Sequence, residues 1–281
     1  MRRASVIQKE MGQIVTVKDL TGVFESISST RIAKVRTKVE VSTSFFDRLW
    51  KLYVALRLDP GADFRGGEHS SGRQAYVMIS AEGGLSGDID LRLIEAVLSS
   101  YDPATTDLIV IGGHGTSQLT QRGIPYKYSF RVPTSENYID VSPILKVISD
   151  YTEVRVYYEA YISLGVQEIK QIDLVSQVKT MSADVEADLP MTDVDTVFEP
   201  SLDAIIDQME KTMMGLAFSQ VILESGLAQD ASRFNAMVVA KKRSSDLVTE
   251  YNLDYHRSKR SESDRRLREV MTSLKKKKHR V

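Results

Sequence analysis

Three short stretches of this 281-residue sequence carry residue types that chemistry could use. Glu82-Gly83-Gly84-Leu85-Ser86-Gly87 follows an apolar run and precedes an amphipathic one, a setting in which backbone amides can cradle a phosphate. It lacks the Lys-Ser/Thr of a P-loop and does not fit G-x-G-x-x-G, while Asp88 and Asp90 place negative charge at its mouth. Gly112-Gly113-His114-Gly115 has the composition of an esterase oxyanion loop. Such an enzyme needs a G-x-S-x-G elbow, and Gly84-Leu85-Ser86-Gly87 has the wrong spacing for one. Both stretches therefore read as strand-to-helix turns, the first capped by Ser86 or Asp88, the second using glycine's access to positive φ. The four histidines, His69, His114, His256 and His279, are dispersed with no pair at helical ligand spacing, so no metal site is expected. Zero cysteines remove thiolate catalysis, disulfides and cysteine-ligated metals. No catalytic residue and no cofactor is expected. The terminal Lys275-Lys276-Lys277-Lys278-His279-Arg280 can attract polyanions by counterion release. Without interleaved aromatics for base stacking it reads as a solvated helix end, not a nucleic-acid site.

The elements that hold these turns follow from where glycine and proline are missing. The first proline is Pro60, and apolar residues recur before it at helical spacing: Ile7, Met11, Ile14, Val17, Leu20, Phe24 and Ile27. After a slip come Ile32, Val35, Val39, Ser42, Phe46, Leu49, Tyr53 and Leu56, with steps from Val35 onward that alternate 4 and 3 as in a coiled coil. Beyond Pro200 there is again no proline, and apolar positions run from Leu202 through Ile205, Met209, Met213 and Leu216 to Met237, Val248, Tyr251 and Tyr255. A single helix over Leu202–Leu274 would be about 110 Å long, too long for burial in its own domain. The spacing predicts that it leaves the globule as a rod paired antiparallel with the N-terminal helix. A bundle broken at Gly12, Gly22, Gly215 and Gly226 is the alternative, since glycine permits helix continuity without requiring it.

Between the helices the pattern is α/β. Strands are predicted at Ala75–Ser80, Asp107–Gly112 and an edge near Tyr126–Arg131, helices at Leu91–Leu98, Thr116–Arg122 and Ile139–Ile148, and a hairpin from Glu153–Ser163 and Gln167–Val178. Strands alternating with helices predict a mostly parallel sheet with an antiparallel edge. The expected organisation is an N-terminal helix over 1–58, an α/β domain over 74–183, an acidic linker over 184–200, and a C-terminal helix with a basic tail over 201–281. The fold class is thus α/β, an antiparallel coiled coil of terminal helices with a central Rossmann-like domain. Charge divides the same way. The chain's net charge is −1, yet residues 1–60 and 257–281 together carry +13 and residues 61–256 carry −14. No apolar run approaches the ~20 residues needed to cross a bilayer, so any membrane association is expected to be peripheral and the compartment cytosolic.

This order of parts, and its motifs, resemble the gamma subunit of the F-type ATP synthase. Ile79–Asp90 is similar to the family's S-T-D-R-G-L-C-G-G-L-N motif, keeping Gly84, Leu85 and Gly87. Ile111–Gly115 is similar to I-G-x-K-G, and Val197-Phe198-Glu199-Pro200 to a Y-E-P before the last helix. Leu223–Met237 resembles E-x-L-A-S-E-x-x-A-R-M-x-A-M, and Leu253–Arg260 resembles L-x-Y-N-K-A-R-Q. The family's terminal signature survives mainly at Glu269 and Val270, its Arg-Gln pair stands here as Lys259-Arg260, and the lysine tail is an addition. The resemblance implies a non-catalytic central-stalk rotor that couples ion-driven ring rotation to the catalytic subunits. It implies a hetero-oligomer with alpha, beta and epsilon subunits and a membrane c-ring, on the cytoplasmic face of the inner membrane. It assigns Tyr255, Arg257, Lys259 and Arg260 to stator contact, Phe198 and Glu199 to contact near the ring, and Gly84, Leu85 and Gly87 to a structural turn. A small-molecule-binding α/β protein, and a basic nucleic-acid or membrane adaptor with coiled-coil arms, are the competing readings.

Overall fold

The computed structural model describes residues 3–56, 71–133, 139–174 and 201–278. In chain order the elements are α1 (Ala4–Leu56), β1 (Ser71–Ile79), α2 (Ile89–Ser100), β2 (Thr106–Ile111), α3 (Gly113–Gln121), β3 (Tyr128–Phe130), α4 (Ser142–Ile148), β4 (Tyr151–Ser163), β5 (Val166–Asp173) and α5 (Leu202–Lys278). The glycines in α1 and α5 do not break them. The expected linker at 184–200 and the hairpin end at Val175–Val178 lie outside the described residues. The chain divides into two compact units, one of residues 28–233 and one formed by 1–27 with 234–281.

The larger unit is built on a five-stranded sheet of order β3-β2-β1-β4-β5. β1 lies parallel between β2 and β4, with Val77 opposite both Ile109 and Val156. β3 is parallel to β2, and β5 closes the other edge antiparallel to β4. Both faces are covered, which is why β1 and β2 read as unbroken apolar runs. Ala75, Val77 and Ile79 point to one side, where they meet Val141, Ile144 and Ile148 of the α4 segment and Phe218, Val221 and Ile222 of α5. Tyr76 and Met78 point to the other, against Leu93, Ile94 and Val97 of α2 and Leu119 of α3. Pro143 occupies the first turn of α4, where its missing N–H costs nothing. A third cluster joins α1 to α5: Phe46 and Tyr53 are buried with Met209, Met213 and Ala217. The Phe46-Leu49-Tyr53 spacing thus forms the seam that it predicts, and the Tyr53 hydroxyl donates to Glu210 Oε1 at 2.7 Å.

In the smaller unit α1 and α5 run antiparallel. The Ala4 amide donates to Glu262 Oε1 at 3.1 Å, and Lys241 Nζ donates to Glu25 Oε2 at 2.6 Å. The first turn of α1 has no acidic residue of its own, so the Glu262 carboxylate supplies the acceptor that the helix start needs. The seam itself differs from expectation. The sheltered positions of α1 follow Ala4, Ile7, Met11, Ile14, Lys18, Thr21 and Glu25, in alternating steps of 3 and 4, with Glu10, Gly22 and the expected Phe24 part-buried beside them. Val17, Leu20 and Ile27, expected on the packed stripe, are 50%, 52% and 42% exposed. The heptad phase set by Ala4 and Ile7 continues unchanged, and beyond Ile14 the apolar residues sit one position out of register with it.

Candidate functional site

Two places concentrate polar side chains with defined partners. The first is the junction in the larger unit where β1 and β2 end. After Ile79 the chain turns through Glu82–Asp88 into α2, with Leu85 at φ 72° and Gly87 at φ 74°. Leu85 is the one described non-glycine residue in this left-handed region, and its side chain is 57% exposed. The expected cap is absent. Asp88 stands at the N-cap of α2 without a side-chain cap hydrogen bond, and the Ser86 hydroxyl turns away to Asp90 Oδ2 at 3.2 Å. Asp90 organises the turn instead. It is 2% exposed, accepts the Ala81 N–H at 2.9 Å, and lies 3.0 Å from Nδ1 of His114. Asp90 therefore does not charge the mouth of an anion site but is folded beneath it.

The second glycine stretch fits against the first. Gly112 has φ 109°, and a Cβ there would strike the Ser80 carbonyl, as one on Gly115 would strike the Ser80 side chain. Ser80 Oγ accepts the Gly115 N–H at 3.1 Å and donates to the Ile111 carbonyl at 3.0 Å. Glu82 Oε2 accepts the amides of Gly113 and Val132, which brings a carboxylate to the start of α3. In this second stretch the amides of Gly112, Gly113, His114 and Gly115, which an anion would need, are already engaged by the protein. α5 closes the junction: the Ser232 hydroxyl donates to the Ser86 carbonyl at 2.6 Å, Arg233 reaches the Gly83 carbonyl, and Ser225 reaches the Ile79 carbonyl. The His114–Asp90 contact resembles the base half of a triad, but the hydroxyl at this contact, that of Ser86, bonds Asp90 rather than the imidazole.

Acids that no sequence pattern singles out are buried elsewhere in this unit. Glu159 in β4 is completely buried, and burial pushes its pKa well above the usual glutamate range. Burial also raises Glu224, against the opposing pull of Lys170 and a Tyr158 hydrogen bond. It raises Asp230 against Arg233 and Arg31. In sequence these acids pass for solvated helix and strand faces; only the sheet packed against them makes them interior. At the opposite end of the strands Asp107 receives Lys127 at 2.6 Å, Tyr151 at 2.9 Å and Arg73 at 3.0 Å.

The second place is the smaller unit's stretch of α5. Tyr255 is half-buried at the edge of the seam, where Ser244 and Ser258 are buried, and Lys259 Nζ lies 5.7 Å from its ring centre. Arg257 pairs with Asp254 at 3.5 Å, and Arg260 lines a shallow depression with His256, Lys259, Ser263 and Asp264. Residues two apart on a helix face nearly opposite ways, so Arg257 and Lys259 do not share a patch. The structure joins Tyr255 to Lys259 and distributes the other two around the helix. Phe198 and Glu199 lie outside the described residues. Further along, Leu267, Val270, Met271 and Leu274 are each more than half exposed at helical spacing, so this end is not uniformly polar. Among the described residues no helix is long and apolar enough to cross a membrane, and no group of three or more side chains is placed to hold a metal ion.

The ATP synthase family model matches residues 3–275. The chain is similar to the ATP synthase gamma chain of Clostridium novyi (strain NT), 22% identical over 278 residues, which span 94% of this chain and 95% of that one. It is similar also to the ATP synthase gamma chain of Malacoplasma penetrans (strain HF-2), 18% identical over 98% of this chain and 99% of that one. Among solved structures, the rotor of the Euglena gracilis mitochondrial ATP synthase superposes with TM-score 0.59 at 14% identity, covering 92% of this chain and 98% of its own. The central stalk and c-ring structure of the Tetrahymena thermophila mitochondrial ATP synthase gives TM-score 0.51 at 18% identity, over 79% of this chain and 99% of that one. At such identities the structural matches establish the fold.

Proposed function

This chain belongs to the ATP synthase gamma family, and from that premise we propose how its two units divide the work of a central-stalk rotor. The subunit performs no bond chemistry. It couples rotation of an ion-driven ring to the conformational cycle of catalytic subunits, and it works within a hetero-oligomer with alpha, beta and epsilon subunits and the c-ring. The observation that carries the reading is the family match across residues 3–275, on a chain whose two long helices flank in sequence a mostly parallel sheet domain. The site of action is peripheral, on the cytoplasmic face of the inner membrane.

A rotor transmits a coupling free energy by presenting different contacts to equivalent neighbours as it turns. That task asks for helices that do not hinge and for a surface whose character varies around the axis. α1 and α5 are uninterrupted, and α5 carries cationic, polar and apolar groups on different faces around Tyr255–Leu274. Tyr255, Arg257, Lys259 and Arg260 are assigned to the stator. Tyr255 and Lys259 share one face while Arg257 lies nearly opposite, so the two sides meet different neighbours at a given angle. The exposed Leu267, Val270, Met271 and Leu274 suit cover by surrounding subunits, and Phe198 and Glu199 are assigned to the ring side. The Gly84-Leu85-Gly87 turn is structural.

The test is co-purification followed by coupling. Detergent-solubilised hexameric ATPase subunits should be captured on this chain, and their absence would remove the reading. In membrane vesicles, Lys259→Ala with Arg260→Ala should lower ATP synthesis several-fold while nucleotide binding stays unchanged. Undiminished synthesis would remove the stator assignment alone.

A further inference from the structure

The buried carboxyl group of Glu159 is used by nothing in the rotor mechanism. The side chain lies in β4 with no exposure, and neither of its oxygens has a hydrogen-bond partner of ordinary geometry. Burial raises its pKa well above the usual range, and the Asp90 carboxyl pushes the same way, while Gln229 and Arg92 oppose. The Gln229 amide offers only a weak opposing hydrogen bond, its Nε2 donating to Ser225 Oγ at 3.1 Å. A carboxylate buried without a contacting counter-ion is among the costliest groups an interior can hold, so the neutral form is favoured.

Asp90 is the complementary member. Its oxygens face the Ala81 amide, the Ser86 hydroxyl and the His114 imidazole, so the carboxyl is surrounded by donors. The elements packed around Glu159 supply few charges. α2 gives Asp90 and Arg92, and Arg92 is 44% exposed and paired outward with Asp88. α3 gives His114 on the far side of Asp90, α5 gives the uncharged Gln229, β5 places Ile169 opposite Glu159, and β1 ends in the uncharged Ser80. Among the described residues no group of three or more side chains is placed to hold a metal ion here. The vacant acceptor sites and the missing donor are both met by one hydrogen.

We propose that Glu159 and Asp90 form a one-proton acid pair, a proton-binding site in which the neutral Glu159 carboxyl donates its hydrogen to the Asp90 carboxylate and thereby keeps the Glu82–Asp88 turn seated on α5. The proton is held, not transferred. Its loss places two negative charges in one dry pocket, between β4 and the very turn that Ser232 and Arg233 of α5 grip. Repulsion there lifts the turn and loosens that grip. The inference does not depend on the rotor reading.

The test uses the full chain in deuterated buffer at neutral pH. Its infrared spectrum should contain the C=O band of a protonated carboxyl group, and Glu159→Gln should remove that band. Raising the pH should speed amide exchange in the turn several-fold more in the parent chain than in the variant, over and above the base-catalysed increase common to both. Absence of the band at neutral pH, or its persistence in the variant, would overturn the proposal. If the variant fails to fold, carbon NMR of the Glu159 carboxyl in the parent chain decides: a titration midpoint above the ordinary glutamate range supports the pair, and an ordinary midpoint overturns it. A shift of that signal by added Na⁺ or Ca²⁺ at constant pH would assign the pocket to a cation and also overturn it.

Discussion

The two units place apolar residues on the same helices by opposite rules. In the larger unit α5 packs Met213, Ala217, Phe218 and Val221 at 0–1% exposure, and acids that intrude there, such as Glu210 and Asp230, are buried with partners. In the smaller unit the seam accepts Thr21, Ser244 and Ser258 as buried residues and shelters Lys18 and Glu25, while Val17, Leu20 and Val23 remain half exposed. A two-helix seam has no third layer to enclose large side chains. Small and polar residues suffice to hold its register, with Lys241–Glu25 and Ala4–Glu262 as cross-links. Exposed ion pairs contribute little, about 0–1 kcal/mol each, so the smaller unit gains little from its own contacts. The difference teaches that one unit is stabilised from within, whereas the other presents its apolar surface outward for others to cover.

Three substitutions probe that contrast, in falling order of effect. Phe218→Ala removes the largest side chain that α5 buries against the sheet, and chemical denaturation should record a loss of about 3–5 kcal/mol. A loss below 1 kcal/mol would mean that the sheet does not depend on α5. Asp107→Asn should cost about 1–2 kcal/mol at neutral pH, because it weakens three donor contacts. Burial alone would raise the pKa of Asp107, but Lys127, Tyr151 and Arg73 overcome it and leave the group below its usual range. Its stabilisation is therefore present above the unfolded value and is lost as pH falls through the folded one. Glu159 has the opposite sign, most stabilising below the unfolded value and less so as pH rises. Melting temperatures below about pH 4 should fall less steeply in Asp107→Asn than in the parent; parallel curves would refute the linkage. Leu20→Ser, at a residue 52% exposed, should change the isolated chain's stability by no more than about 0.5 kcal/mol. A larger loss would show that the smaller unit has an apolar core of its own.

Much of the fold is legible in residue order. The runs AYVMI and LIVI read as buried strands, and the Phe46-Leu49-Tyr53 spacing marks the seam that the structure completes with Met209 and Met213. The glycines at 112 and 115 mark a close approach, though not the group approached, which is Ser80. The site was far less legible. Asp90 looked like a charge at a turn mouth, His114 like an isolated histidine, and Glu159 like one acid in a hairpin. They lie in three elements separated by up to 69 positions, and no local pattern joins them. The Val17–Ile27 stripe misled for a related reason. Periodicity finds an apolar face but does not say whether that face meets its own chain or another.

The sequence by itself determined the element types, the mostly parallel sheet and the family, because local periodicity, missing prolines and ordered motifs all act at short range. The structure decided that the terminal helices run unbroken through their glycines. Tertiary structure alone decided which face of α1 is the seam, which acid holds the turn, and which carboxyl group is dry enough to need a proton. Those outcomes depend on burial, and burial is a property of what distant segments bring to the same place.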